Sequence, residues 1–187
     1  MTGLGFSRIF RDMQEQRGFV HVYTGDGKGK TSAALGLALR ALGHGFWVWL
    51  GRFLKDEESG EVYALRRFAG EVKVESFGSG RFLLPEEVTD EDRQAAEEGL
   101  SRAKEILLSQ RYRVVILDEV ITAVGLGVIP EGAVLELISQ RPDPVELILT
   151  GRGASQRLKD AADLVSEIRA EKHYFDRGIE ARPGIEW

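Results

Sequence analysis

The residues with the clearest chemical potential in this 187-residue chain form one stretch that is rich in glycine and lysine. Its members are Thr24, Gly25, Asp26, Gly27, Lys28, Gly29, Lys30, Thr31 and Ser32. The apolar run 19–23 before it is typical of a buried strand, and the Ala- and Leu-rich run 33–39 after it is typical of a helix. A strand, a glycine-rich turn and a helix in this order form a phosphate-binding loop, so the stretch predicts a nucleotide site.

The residue types of this stretch, called the phosphate loop below, suit an anionic ligand. Glycines allow backbone N–H groups to turn toward an anion, and the N-terminus of the following helix adds partial positive charge. In this pattern Lys30 reaches the terminal phosphates and the Thr31 hydroxyl binds Mg²⁺. Thr24 stands where the usual pattern has its first glycine. A glycine-rich turn without a ligand is the alternative, which the placement of Gly-Lys-Thr between strand and helix disfavours.

A second group of candidates, Asp118 and Glu119, follows the apolar run 114–117. Carboxylates at the end of a buried strand commonly accompany a phosphate loop, because they hold Mg²⁺ directly or through water. Acids at a strand end are a weak signal alone, and the phosphate loop upstream strengthens it. We therefore predict that Thr31, Asp118 and Glu119 are metal ligands, beside phosphate oxygens of the nucleotide.

Three cations also follow predicted strands, namely Arg52, Lys55 and Arg152. They could bind and neutralise a triphosphate, or they could be solvated surface charges. The three histidines do not cluster in the sequence, which favours structural roles over a histidine metal site or a catalytic triad. No obvious nucleophile and base accompany the loop, so the partner in the reaction could supply its own nucleophile.

Strand-like and helix-like patterns alternate along the chain. Predicted strands cover 19–23, 46–50, 72–77, 114–117, 145–150 and 164–168. Predicted helices cover 29–42, 61–68, 90–110, 131–140 and 155–162. This alternation implies right-handed crossovers, so we predict an α/β fold with a mostly parallel sheet and helices on both faces. Ligands of such sheets bind beyond the carboxyl ends of the strands, where the candidate residues fall.

Composition excludes several classes of protein. The 25 basic and 30 acidic residues give a net charge of −5, which disfavours a sequence-independent nucleic-acid binder. The chain has no cysteine, and therefore no disulfide and no thiolate metal site. No apolar run approaches the roughly 18–20 residues that cross a bilayer, and the start lacks a signal-peptide pattern. We expect a cytoplasmic protein that binds neither membrane nor nucleic acid.

The length and the lack of a linker or internal repeat favour one nucleotide-binding catalytic domain over residues 18–187. Residues 1–17 are interpreted as a flexible N-terminal arm. Phe6, Ile9, Phe10 and Met13 within this arm could form one face of a short helix. The arm is either a frayed terminus or a segment that orders over a ligand or a neighbouring subunit.

The phosphate loop and several later segments share the pattern of one known family. The loop, with Lys28 between two glycines and no glycine at position 24, resembles that of the P-loop corrinoid (cob(I)alamin) adenosyltransferases. Further matching segments follow in order at 52–55, 78–80, 117–119 and 150–154. The tail, at 165–169, 172–179 and 182–187, is the most specific match, because generic ATPases do not share it. The resemblance covers about 17–187.

The resemblance implies a RecA-like fold, usually in a homodimer, that transfers the 5′-deoxyadenosyl group of ATP to Co(I) of a corrinoid and releases triphosphate. The substrates would be ATP and a corrinoid, with Mg²⁺ or Mn²⁺ as the metal and a flavoprotein as a candidate reductant. Because Co(I) is the nucleophile, the protein needs only to position the reactants and stabilise charge. By the family pattern, Lys30 and Thr31 contact phosphate and metal, Glu119 helps to hold the metal, and the loop backbone wraps the triphosphate.

One segment departs from the family pattern. After Gly-Thr-Gly the family typically carries Phe-Thr-Trp, whose aromatic rings pack under the corrin and displace its lower axial ligand. Arg81, Phe82 and Leu83 occupy the aligned positions here. Either Phe82 substitutes for the missing aromatic, or the corrinoid differs, or adenosylation is impaired.

Two other functions fit the sequence. The first is a phosphotransferase or simple ATPase, for which Glu119 is the obvious candidate to position a nucleophile near the γ-phosphate. The second is a non-catalytic module that binds a corrinoid in an ATP-dependent manner, which the altered segment at 81–83 permits. The transferase interpretation accounts for more of the sequence, because it includes the tail.

The role of Phe82 can be tested by the Phe82→Ala substitution. Reduction or alkylation of cobalt should weaken, because the corrin loses its aromatic support, while the affinity for ATP should be unchanged. Titration with ATP and a cobalt spectrum measure the two effects separately. Loss of ATP binding with normal handling of the corrinoid would contradict this placement of the segment.

Overall fold

The computed structural model describes residues 17–56 and 59–186. All of the predicted N-terminal arm except Arg17 lies outside these residues. The described part contains a six-stranded sheet in which every pairing is parallel. The strands are β1 (Val20–Thr24), β2 (Val48–Phe53), β3 (Val72–Phe77), β4 (Val114–Asp118), β5 (Glu146–Thr150) and β6 (Leu164–Glu167). Their order across the sheet is β3-β2-β4-β5-β1-β6.

Helices cover both faces of this sheet. They are α1 (Lys30–Leu42), α2 (Gly60–Leu65), α3 (Asp90–Ser109), α4 (Val120–Gly125), α5 (Glu131–Gln140) and α6 (Gln156–Asp160). Along β4, Val115 and Leu117 pack in the apolar cluster that includes residues of α3, α4 and α5. Val114 and Ile116 alternate with them and pack in a second cluster with α1. The predicted α/β fold is thus confirmed, and the arrangement is consistent with a RecA-like P-loop fold.

None of the helices in the described ranges combines the length and apolar character needed to span a membrane. Every position of β4 is buried, and its first four residues are apolar. Strands that are covered by helices on both faces read as continuous apolar runs, which explains why β4 and β5 could be recognised from the sequence.

The second strand lies further along the chain than the sequence predicts. The expected strand was 46–50, with 51–55 beyond its end, whereas β2 runs from Val48 to Phe53. Gly51, Arg52 and Phe53 pair in register with residues of β3, and Arg52 also pairs with Asp118 of β4. The glycine and the arginine therefore continue the strand, because both neighbouring strands provide backbone partners for them. The short helix α4 was also absent from the prediction.

The strand order brings the candidate residues together. β4, β5 and β1 are adjacent in the sheet and run in the same direction. The phosphate loop follows β1, Asp118 ends β4, and Thr150 ends β5. Because parallel strands end at the same edge of the sheet, their carboxyl ends form one site, as expected for an open α/β sheet.

α3 approaches the sheet unusually closely at Gly99. A Cβ atom at this position would lie 2.8 Å from the ring of Phe53 and 2.9 Å from the ring of Phe77. Both rings belong to the buried core and lie on β2 and β3. Gly99 therefore sets the distance between this helix and the sheet.

Substitution of this glycine tests the close packing. Gly99→Ala should lower the free energy of unfolding by about 1–2 kcal/mol, because overpacking outweighs the better helix propensity of Ala. Gly36→Ala in α1 is the matched control, since a Cβ atom there would meet nothing within 4 Å. The control should raise the free energy of unfolding by about 0.5–1 kcal/mol, measured by urea denaturation. Equal effects of the two substitutions would contradict the packing argument.

Candidate active site

The phosphate loop is held against the chain segment that follows β6. A Cβ atom at Gly25 would lie 2.4 Å from the carbonyl oxygen of Ile168, and one at Gly27 would lie 2.7 Å from the backbone of Arg169. The Gly27 N–H donates a hydrogen bond of 2.8 Å to the Ile168 carbonyl. Gly25 also has a φ of 97°, in the region that favours glycine. These glycines are therefore needed for the close approach of two backbones.

Thr24, at the position where the usual pattern has a glycine, is buried at the end of β1. Its hydroxyl oxygen accepts a hydrogen bond of 3.1 Å from the N–H of Ala154, in the segment after β5. The threonine thus connects the start of the phosphate loop to the neighbouring strand end. This hydrogen bond explains why a threonine, and not the usual glycine, suits position 24.

Lys30 is 7% exposed and lies inside the phosphate loop. Its ammonium group donates hydrogen bonds of 2.8 Å to the carbonyl oxygens of Gly25 and Gly27. An ammonium group has three donors, so one N–H of Lys30 is still available to a ligand. Burial lowers the pKa of Lys30, and the charge of Glu119 is the main influence that opposes this shift.

Asp118 is 1% exposed and accepts three hydrogen bonds. The hydroxyls of Thr31 and Thr150 each donate to Oδ1 at 2.7 Å, and Lys55 Nζ donates to Oδ2 at 2.7 Å. Burial alone would raise the pKa of Asp118, but the charge and hydrogen bond of Lys55 and the two hydroxyls outweigh it. The pKa therefore lies below its ordinary value, and Asp118 is an anion.

Glu119 directly precedes α4, as its N-cap, and has a left-handed conformation with a φ of 61°. Its N–H donates to the Thr150 hydroxyl at 2.9 Å, and its carboxylate accepts a hydrogen bond of 2.5 Å from the Thr122 hydroxyl. The Thr122 oxygen in turn accepts from the N–H of Arg152 at 2.9 Å. The turn after β4 and the turn after β5 are thus joined, which fixes the position of Glu119.

The donor set at this edge of the sheet fits a hard cation that is shared with a phosphate ligand. Thr31, Asp118 and Glu119 supply one hydroxyl and two carboxylates, which are oxygen ligands of the type that Mg²⁺ prefers. Among the described residues, no group of three or more Asp, Glu, His or Cys side chains could hold a metal ion. Mg²⁺ commonly binds through one or two carboxylates together with substrate phosphates, so the set is sufficient for that arrangement.

A cleft of about 670 Å³ opens beside the phosphate loop. Its volume is in the range of ordinary small-molecule sites. The lining residues are Asp26, Gly27, Lys28, Gly29, Lys30, Thr31, Ser32, Leu35, Lys55, Gly60, Glu61, Glu119, Arg152, His173, Gly184, Ile185 and Glu186. The cleft is therefore lined by residues 26–32 of the phosphate loop, including the predicted metal ligand Thr31. The predicted cations Lys55 and Arg152 and the predicted metal ligand Glu119 line the same cleft.

Arg52 is the predicted cation that does not line this cleft. It was expected beyond the end of a strand, but it lies within β2 and is 2% exposed. Its guanidinium donates to the Asp56 carbonyl oxygen at 2.7 Å and lies 3.5 Å from a carboxylate oxygen of Glu61. Since Glu61 lines the cleft, Arg52 is connected to the site through the Glu61 carboxylate.

The segment at 81–83 presents one aromatic side chain to solvent. Phe82 is 84% exposed, whereas Leu83 is buried in the core. Arg81 forms an ion pair with Asp92 at the start of α3, which ties the segment to that helix. Leu83 and Arg81 thus hold the segment in place while Phe82 projects away from it. Phe82 is not part of the cleft wall described above.

The tail supplies part of the cleft that the residue-by-residue reasoning did not identify. His173, Gly184, Ile185 and Glu186 line the cleft, and Lys28 of the phosphate loop bonds to this tail. The part of the tail after residue 169 shows no helical or strand periodicity, so its position could not be predicted. Its one available signal was the specificity of its match to a known family.

The chain is similar to known proteins over most of its length. The family model described as ATP:corrinoid adenosyltransferase BtuR/CobO/CobP matches residues 16–187. A corrinoid adenosyltransferase of Escherichia coli strain K12 is 37% identical over 175 residues, which cover 93% of this chain and 88% of that protein. Corrinoid adenosyltransferases of Pseudomonas aeruginosa and a Sinorhizobium species are 37% and 31% identical, over 93% and 96% of this chain and 86% and 85% of those proteins.

Thr150 connects the two carboxylates, which leads to a test of the site's stability. Thr150→Val should lower the free energy of unfolding by about 1–3 kcal/mol, because Asp118 loses a buried donor and the Glu119 N–H loses its acceptor. Thr150→Ser keeps the hydroxyl and should cost only about 1 kcal/mol, for the missing methyl group. Chemical denaturation measures both values. A smaller loss in Thr150→Val, which keeps the methyl group, than in Thr150→Ser would indicate that methyl packing, and not hydrogen bonding, is the role of Thr150.

Proposed function

This chain belongs to the ATP:corrinoid adenosyltransferase family, and we propose that the cleft beside its phosphate loop is where the reaction takes place. The enzyme transfers the 5′-deoxyadenosyl group of ATP to Co(I) of a corrinoid. The observation that carries the proposed location is the common edge formed by β4, β5 and β1, which brings the loop, Lys30, Asp118 and Glu119 together.

The reaction determines what the protein must supply. An electron pair on Co(I) forms a bond to C5′ of ATP, the C5′–O bond breaks, and its electron pair leaves with triphosphate. No proton moves in this step, so the site needs no general base. It needs donors that stabilise the negative charge of the leaving triphosphate and walls that hold C5′ in line with cobalt.

Lys30 is the proposed donor to the triphosphate. Two of its N–H groups are bonded to loop carbonyl oxygens, so the ammonium group is fixed before a ligand binds. The third N–H can donate to a phosphate oxygen, in an environment that is largely protected from water. Arg152 and Lys55 lie on the same cleft and add positive charge around the triphosphate.

The metal is part of the same proposal. Thr31, Asp118 and Glu119 would hold Mg²⁺ together with phosphate oxygens, and Asp118 would act directly or through water. When bound, Mg²⁺ neutralises part of the charge of the triphosphate. The hydrogen bonds of Thr150 and Thr122 keep the two carboxylates in fixed orientations.

Phe82 is proposed as the apolar contact for the corrinoid. A phenylalanine that is 84% exposed buries little of its own surface, and Leu84 beside it is also exposed. A planar macrocycle that covered Phe82 would remove this apolar surface from water. The homodimer and the flavoprotein reductant follow from the family resemblance and stay proposals, and the cytoplasmic location stays a prediction from the sequence.

The Lys30→Ala substitution tests the phosphate loop. We expect kcat/KM for ATP to fall by about 10²–10³-fold, because the triphosphate loses a fixed donor and the loop loses two internal hydrogen bonds. Lys104→Ala is the matched control, since Lys104 lies on the surface of α3 and pairs with Glu136. Near-normal activity of the Lys30 variant would refute the assignment.

The products test the reaction itself. The unaltered enzyme, ATP, Mg²⁺ and chemically reduced cobalamin are combined without oxygen, and the cobalt spectrum and the phosphate products are measured. A light-sensitive Co–C product and intact triphosphate, in equal amounts, are expected. Release of phosphate without alkylated cobalt would indicate an ATPase instead, and corrinoid binding without turnover would indicate a binding module.

A further inference from the structure

Lys28 lies in the phosphate loop, but its ammonium group bonds to the tail. It donates hydrogen bonds to the Tyr174 hydroxyl at 2.9 Å, the Ile185 carbonyl oxygen at 2.8 Å and a Glu186 carboxylate oxygen at 2.6 Å. An ammonium group has three N–H donors, so the tail occupies all of them. Lys30, by contrast, uses two donors within the loop. The two lysines of the loop therefore have different roles in this structure.

The acceptors of Lys28 belong to a connected network. The Tyr174 hydroxyl also bonds to Glu186, and the second oxygen of that carboxylate accepts from the Arg182 N–H at 2.7 Å. The Arg182 guanidinium lies 5.0 Å from the centre of the Tyr174 ring. Hydrogen bonds from Lys28 and Tyr174 hold the pKa of Glu186 far below its ordinary value, so Glu186 is an anion that neutralises Lys28.

The same loop holds the tail at two points. At the first point, the Gly27 N–H bonds to the Ile168 carbonyl oxygen, just after β6. At the second point, Lys28 bonds to residues 185 and 186, near the end of the chain. The segment 173–186 follows the first point along the chain and contains the second. Four of its residues line the cleft. Its position as a wall therefore depends on Lys28.

The tail offers a chemically different surface from the rest of the cleft. Lys30, Lys55 and Arg152 bring positive charge from the loop and from two strand ends. The tail contributes an imidazole, backbone at Gly184 and the apolar side chain of Ile185, while the charge of Glu186 is already paired. Such a surface suits a nucleoside better than a triphosphate, since a polyphosphate requires cations and N–H donors.

His173 adds a specific polar group to this wall. Its Nδ1 accepts a hydrogen bond of 3.1 Å from the N–H of Phe175. In the neutral imidazole the proton is then on Nε2, which makes Nε2 a donor. Adenine nitrogens and ribose oxygens are acceptors that such a donor could bind.

We propose that Lys28, Tyr174 and Glu186 are positioning residues that hold segment 173–186 as the wall for the nucleoside part of ATP, and that Lys28 is not a phosphate ligand. This inference rests on the proposed function only in taking ATP as the ligand of the cleft. Of the two lysines in the phosphate loop, Lys30 then binds the triphosphate and Lys28 binds the tail.

The test compares two ligands of the full chain, MgATP and inorganic triphosphate, by titration calorimetry without a corrinoid. Glu186→Gln and Lys28→Met should each raise the Kd of MgATP about tenfold, as expected for a lost charge-assisted hydrogen bond. The Kd of triphosphate should change less than about twofold, because Lys30 is intact. Glu180→Gln is the matched control, an exposed acid in the same segment, and should change neither value.

Steady-state kinetics and a double variant complete the test. KM for ATP should rise with kcat nearly unchanged, since the wall binds the nucleoside but does not touch the reacting bond. The Lys28→Met/Glu186→Gln double variant should be no weaker than either single variant, because both break one network. Thermal unfolding of each variant shows that the fold is retained before affinities are compared.

Three outcomes would overturn the inference. Tighter binding of triphosphate by Glu186→Gln would mean that Glu186 competes with phosphate for Lys28. Equal weakening of both ligands by Lys28→Met would mean that Lys28 binds phosphate. Unchanged Kd values in both variants would mean that the network does not support the site. These outcomes are independent of cobalt chemistry, so they are distinguishable from failure of the transferase assay.

Discussion

The buried carboxylate of Asp118 is the interaction on which the site depends. A charge that is 1% exposed would be strongly unfavourable without partners, and here Thr31, Thr150 and Lys55 provide them. These residues come from α1, the end of β5 and the segment after β2, so one carboxylate joins three elements to β4. Since its pKa in the folded protein is lowered, this stabilisation is present above the ordinary pKa of aspartate and is lost as the pH falls through the lowered value.

Much of the fold followed from local patterns. The phosphate loop was recognisable because a β-strand, glycines and a helix occur within about twenty residues, each with its own periodicity. Asp118 and Glu119 could be placed beside it because parallel strands end at one edge of a sheet. The boundary of β2 was misjudged because Phe46 and Trp47 are apolar but precede the strand, whereas the polar Arg52 continues it. Pairing with two neighbouring strands, which no local pattern reveals, decided that boundary.

The position of the tail could not be predicted from local sequence patterns. Lys28 is 146 and 158 residues away from Tyr174 and Glu186 in sequence, and the tail between 168 and 186 has no repeating pattern. Periodicity reports burial against a regular element, and a segment that is held by side-chain hydrogen bonds to a loop leaves no such signal. The glycines at 25 and 27 illustrate the same limit, because they were interpreted through phosphate chemistry alone. In the folded chain they also make room for the backbone at 168–169.

The distribution of charge in the cleft agrees with a reaction that requires no proton transfer. Lys28 is paired with Glu186, and Lys55 is paired with Asp118, so two of the cations that line the cleft are also structural. Lys30 keeps one donor for a ligand, and its position is fixed by the carbonyl oxygens of Gly25 and Gly27. Because Co(I) supplies the electron pair, the protein needs only to hold C5′ and to stabilise the departing triphosphate. Most of these polar contacts fix the geometry of the cleft, and in the proposed function the remaining donor of Lys30 stabilises the charge of the triphosphate.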